Sequence, residues 1–273
     1  MSKRDAEDQR MLWLSRPLCR RYIAGNFSKV FTPVRGSNGA QGRAVQWVVG
    51  CLRDGDCELL GAWIPTEKGP ALWAEVFADL EIRGVESIKF VFGNDLANDG
   101  EGQRVAPFGA TELPSIEQTL AIALAQVAPR HRDAAERALR TVAVAGSSEA
   151  AGEALRAFER DRWGERYPQI VAQWRLTLAQ WAPLFALPAS LRRVVVSGDR
   201  AAADLHRSLV RAIDRHGCFA NQTAALDFVA DSLLRAERRL DRARAVAVSE
   251  PRIHRLGTGG RRPASAPGAW DPR

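Results

Sequence analysis

The sequence predicts an α/β protein: a mixed sheet that opens with an antiparallel meander and carries a large helical insertion. Three observations support this. Short apolar runs separated by glycine turns fill the first third of the chain, which is the pattern of hairpin-linked strands. One amphipathic helix then leads into a short, mostly apolar run, as in a strand–helix–strand unit. Beyond Pro114 the periodicity is helical almost throughout.

Val30-Phe31-Thr32-Pro33-Val34 reads as the first strand, followed by a turn at Gly36-Ser37-Asn38-Gly39. Pro33 has no N–H for a ladder, so the sequence places it at a sheet edge or a strand start. Val45–Val49 is the second strand, Asp54-Gly55 the next turn, and Cys57–Ile64 the third strand. From Pro70 to Arg83, Leu72, Trp73, Val76, Phe77 and Leu80 share one helical face, and Gly84 suits the position after the last turn. Ile88–Phe92 is the fourth, buried strand. This order of elements is the opening of an RNase H-like core, in which the fourth strand runs parallel to the first. Helices are predicted over Ser115–Val127, Arg130–Val142, Ser148–Trp163, Tyr167–Leu178, Leu205–Arg215 and Gln222–Val246. The predicted organisation is a lead-in at 1–26, strands and first helix at 27–110, a helical insertion at 111–190, core-completing helices at 191–246 and a flexible basic tail at 247–273.

The 273 residues can bury one large core, and 46% hydrophobic with 26% charged residues is ordinary for a globular protein. The net charge of +7 comes mainly from arginine and favours polyanionic partners such as nucleic acid. None of the four cysteines, Cys19, Cys51, Cys57 and Cys218, forms a CxxC pair, so no zinc or redox motif is signalled. Cys51 and Cys57 flank a hairpin turn and should face each other as reduced thiols. The charged N-terminus lacks the apolar segment of a secretion signal, and no apolar run approaches the ~18 residues of a membrane span. A cytoplasmic location without membrane association is expected.

Several fragments, in order, carry a family resemblance: Trp13-Leu14-Ser15-Arg16-Pro17-Leu18, Gly61-Ala62-Trp63-Ile64, Leu72-Trp73, Asp79-Leu80 and Arg83-Gly84-Val85. Trp163-Gly164, Tyr167-Pro168-Gln169-Ile170-Val171, Trp174-Arg175, Leu191-Arg192-Arg193-Val194 and Gly217-Cys218-Phe219 continue it. Each fragment is short, but together they run collinearly over most of the chain. The chain resembles the bacterial Mutator-type insertion-sequence transposases. Trp73, Trp163 and Trp174 within these fragments, and Trp181 between them, read as core side chains at helical spacing.

The resemblance implies two Asp and one Glu holding two divalent metals ~3.5–4 Å apart for in-line phosphoryl transfer to DNA. Mg²⁺ would be the cofactor of an intact site, because hard oxygen donors suit it. In this chain the matching positions read Ser28, Asn94 and Ala203. No acid lies between Asp8 and Asp54, so no shift of register restores the first. Asp95 and Asp204 are the substitutes nearest the other two, and the third count also reaches Ala202. The family's C-x-x-H pair is replaced by Pro114 and Glu117. Only Asp5 to Trp13 stands where the family carries the end of a helical DNA-binding region.

The resemblance therefore implies a derivative without catalytic residues or cofactor, at most DNA-binding or regulatory. DNA contact would fall to Arg192, Arg193, Arg200, Arg207, Arg211 and Arg215, against the alternative that they form a solvated face. The other readings are an active enzyme with relocated acids and a non-functional remnant. Self-association, or association with an active transposase, completes the expected partners.

Overall fold

The computed structural model describes residues 3–37, 39–65, 73–93 and 107–249. Two units are distinguished, Met1–Glu237 and Arg238–Arg273; of the second, the helical residues to Ser249 are described. In the first unit the sheet has the order β3-β2-β1-β4-β5. Its strands are β1 (Arg21–Gly36), β2 (Gly39–Cys51), β3 (Cys57–Trp63), β4 (Ser87–Gly93) and β5 (Thr111–Leu113). β1, β2 and β3 form the antiparallel meander, while β4 runs parallel to β1 and β5 parallel to β4. The chain is an α/β protein with an RNase H-like core.

β1 is 16 residues long and starts well before the predicted Val30. From Tyr22 to Phe27 every residue is buried. A strand covered on both faces shows no alternation, and the length was hidden for that reason. Pro33 lies inside β1, but at a place where β1 has run past β4. The Pro33 carbonyl accepts from Phe219 N at 2.8 Å, away from β2. A residue's N and C=O point to the same side of a strand, so the missing N–H falls on that outer edge and breaks no β1–β2 bond.

The first turn pairs Gly36 with Gly39; Asn38 lies outside the described residues. Gly39 adopts φ 106° there, a conformation that favours glycine. In the second turn Gly55 has φ 102° and the Asp54 carboxylate accepts from Asp56 N at 3.0 Å.

α1 (Lys3–Ser15) precedes the sheet and α2 (Ala74–Ile82) covers one face. There Val76 and Leu80 of α2, with Trp73, meet Phe27, Val48, Leu60, Ile88 and Val91. Phe27 and Trp73 pack edge to face at 5.5 Å. The opposite face, including Ala24, Trp47, Val49, Phe90 and Phe92, packs into the larger core shared with the helical region.

That region comprises α3 (Ile116–Ala125), α4 (Arg132–Ala143), α5 (Ser148–Arg160), α6 (Arg162–Arg166), α7 (Pro168–Gln180) and α8 (Ala182–Phe185), followed by α9 (Ala189–His216) and α10 (Gln222–Ser249). The predicted single helix Ser148–Trp163 is two, because Asp161 turns extended and caps α6 by accepting from Arg162 N at 2.8 Å. The four tryptophans read as core are core, with Trp174 and Trp181 fully buried and edge to face at 5.8 Å. α9 is far longer than the predicted Leu205–Arg215. Its first half buries Val195, Gly198, Asp199 and Ala202, and two small residues with a carboxylate give little apolar periodicity to read.

Candidate functional site

Ser28 lies in β1, half-buried, one residue beyond Phe27, which pairs with Gly93 at the end of β4. The first strand and the strand preceding Asn94 are thus neighbours and parallel. Asn94 and Asp95 themselves lie outside the described residues. Across the meander Ser28 pairs with Trp47, so the two side chains share a face. Trp47 is fully buried and its ring stacks on His206 of α9, centroids 6.3 Å apart. Ser28 therefore looks toward α9.

The course of α9 over the sheet is marked at two points. Gly198 sits against Cys51, where a Cβ would come 2.2 Å from the sulfur, and His206 sits against Trp47. Cys51 pairs with Ala24 and Trp47 with Ser28. The helix consequently travels from the level of Ala24 to that of Ser28, and Ala202 and Ala203 fall between. Ala202 is buried against the core, while Ala203 is half-buried on the flank. Burial, and secondarily the Arg207 charge, push the His206 pKa below its ordinary value.

Asp204 points elsewhere. One residue turns a helix by about 100°, so Asp204 sits nearly opposite Ala202. It is exposed and ion-paired with Arg207. The predicted arginines divide in the same way. Arg193, Arg200, Arg207, Arg211 and Arg215 are all exposed and fall within roughly 40° of one line along α9, opposite the buried stripe. Arg192 lies off that line and donates to the carbonyls of Phe185 and Leu187, both at 3.3 Å. It closes the end of α8 rather than facing solvent.

Asp199, one turn before Ala203, was not singled out by sequence. Its carboxylate is buried and accepts from Glu117 N at 3.0 Å, and from Ser115 and Ile116 at the same helix start. It clips α3 onto α9. Burial raises its pKa to about 6 from 3.8, against the lowering effect of these donors. The Glu117 side chain turns away to Arg140, which grips both its oxygens at 2.8 and 3.1 Å. The residue standing at the second place of the resembled C-x-x-H pair is thus part of a structural ion pair. The only clue to Asp199 in the sequence is an acid within an arginine-rich helix, and its partner lies 82 residues away.

Two divalent ions do not fit the described residues of this site. Ser28 supplies a neutral hydroxyl and Ala203 a methyl group, Asp204 faces the other way, and Asp199 is sealed beneath α3. Hard cations of this kind need several carboxylate or water oxygens.

The family model for "Transposase, Mutator family" matches residues 3–239. The chain belongs to the Mutator family of transposases. Among curated proteins it is 31% identical over 215 residues to the transposase for insertion sequence element ISRM3 of Rhizobium meliloti (strain 1021), covering 78% of this chain and 53% of that one. It is also 31% identical over 221 residues to a probable insertion-sequence transposase of Corynebacterium diphtheriae, covering 79% and 63%. A probable ISRM3-like transposase of Sinorhizobium fredii (strain NBRC 101917 / NGR234) is 30% identical over 215 residues, covering 78% and 53%. This Mutator-family chain spans just over half the length of the two rhizobial relatives. No helix among its described residues is long and apolar enough to cross a membrane.

Proposed function

We propose that this chain is a Mutator-family transposase derivative that binds DNA through the exposed arginine line of α9 and does not cleave or join strands. The observation that carries the reading is the pairing of Ser28 with Trp47 beneath α9. An uncharged side chain stands where the resemblance expects the first Asp, and the helix turns Ala202 toward the sheet, with Ala203 on its flank and Asp204 on the far side. Arginines spaced along one exposed helix face suit a phosphate backbone, so binding should be metal-independent, weakly selective for sequence and sensitive to salt. The intact core, down to fully buried Trp47, Trp174 and Trp181, favours a maintained protein over a decaying remnant. A regulatory role through self-association, or through association with an active transposase, is compatible with this reading.

Incubation of supercoiled and end-labelled DNA with the purified chain and Mg²⁺ or Mn²⁺ tests the catalytic half. Neither nicking nor strand joining is expected. Metal-dependent nicking that Asp95→Ala abolishes would overturn the proposal in favour of relocated acids.

A further inference from the structure

Cys51 and Cys57 are directly opposed residues at the closed end of the β2–β3 hairpin, and their sulfurs lie 3.0 Å apart. Leu52 N donates to Asp56 O at 2.7 Å, so the ladder bond belongs to the neighbouring pair. In an antiparallel ladder the pair next to a bonded pair is the non-bonded one, whose Cα atoms approach to about 4.5 Å with side chains closest together. That separation lies at the short end of the range a disulfide spans. The two thiols differ in their surroundings. Cys51 is fully buried, roofed by Gly198 of α9, whereas Cys57 is half-exposed.

We propose that Cys51 and Cys57 form an oxidisable dithiol, which takes low-molecular-weight disulfides and closes reversibly into an intramolecular disulfide across the hairpin. The half-exposed Cys57, as its thiolate, attacks one sulfur of the oxidant RSSR, forming a mixed disulfide and releasing RS⁻. With Cys57 in the mixed disulfide, its hydrogen bond no longer holds the Cys51 proton. Cys51 gives that proton to the first RS⁻ and attacks the Cys57 sulfur. The second RS⁻ leaves and takes up the proton that Cys57 had given to water. The protein loses two protons and two electrons, and one RSSR becomes two RSH. The hydrogen bond to Cys57, then burial, hold the Cys51 thiol well above its ordinary pKa. The first encounter accordingly belongs to Cys57, since only a thiolate attacks efficiently. A non-bonded cross-strand pair at the short end of the range gives a readily reduced disulfide, which suits reversibility. The bond would staple the hairpin on the side where α9 packs. This inference is independent of the DNA-binding reading.

The test treats the full chain with oxidised glutathione, blocks remaining thiols by alkylation and digests with trypsin. Cleavage at Arg43, Arg53 and Lys68 places the two cysteines on different peptides, so a Cys51–Cys57 link is directly visible. The expected results are that linked peptide, its loss with dithiothreitol, and a stable glutathione adduct at Cys57 in Cys51→Ser. Wild-type protein that acquires glutathione only at Cys218 or Cys19, with Cys51 and Cys57 both still alkylatable, would overturn the proposal. An adduct on Cys51 in Cys57→Ser would overturn the assigned order of attack.

Discussion

Replacing Asp199 by asparagine should remove a pH dependence of stability whose sign follows from the geometry. The carboxyl is buried under α3 with a pKa near 6 in the folded protein, against 3.8 as the reference value. The folded state therefore holds its proton more tightly than the unfolded chain. The associated stabilisation is fully present below pH 3.8 and is lost as pH rises through about 6. A rise of that size corresponds to roughly 3 kcal/mol. Urea unfolding of wild type and Asp199→Asn from acid to neutral pH isolates this contribution, because other groups cancel in the difference. Wild type should lose about 3 kcal/mol relative to the variant between the acid limit and neutrality, then hold level. A relative stability that rises with pH would refute the reasoning, since the Ser115–Glu117 donors would then outweigh burial. Asp199→Ala should cost more than asparagine at every pH, because it strands buried donors at roughly 1–3 kcal/mol each.

Two further substitutions probe the packing that fixes the site. Glu237 accepts from Trp13 Nε1 at 2.7 Å, Arg16 at 2.6 Å and Leu59 N at 3.2 Å. Glu237→Ala strands the buried donors Trp13 Nε1 and Leu59 N at roughly 1–3 kcal/mol each, while half-buried Arg16 can turn to water, and a loss in urea unfolding below ~1 kcal/mol would contradict that. Gly198→Ala drives a methyl against the Cys51 sulfur and should cost about 1–3 kcal/mol. Much of that should be recovered in Gly198→Ala/Cys51→Ala, and strict additivity of the two changes would mean that α9 does not approach β2 there.

The sheet was legible because each of its signals is local. Gly36, Gly39 and Gly55 mark turns, and Ile88, Phe90, Val91 and Phe92 give the fourth strand an apolar density interrupted only by exposed Lys89. The elements that escaped were those whose signal is spread through space. The start of β1 carries no alternation, β5 is three residues long, and α9 meets the sheet through Gly198 and Ala202 rather than through large apolar residues. The family positions could be counted from fragments on either side. Which way each side chain points could not, because the orientations of Ala202, Asp204 and the arginines depend on helix phase, and the phase was visible only once α9 was seen to begin at Ala189. Asp199 and Glu117 were hidden for another reason. Their roles come from contacts with residues far away in sequence, and no spacing rule connects such partners.

The exposed arginine line of α9 is proposed to hold DNA without metal. Duplex affinity measured over a salt series, with chelator present, for wild type and Arg207→Ala/Arg211→Ala tests it most directly. Wild type should bind, with an affinity that weakens steeply with salt. The variant should bind more weakly, with the logarithmic salt slope smaller by about two, one per lost phosphate contact. Equal affinity and slope for both proteins, or no wild-type binding even at low salt, would contradict it.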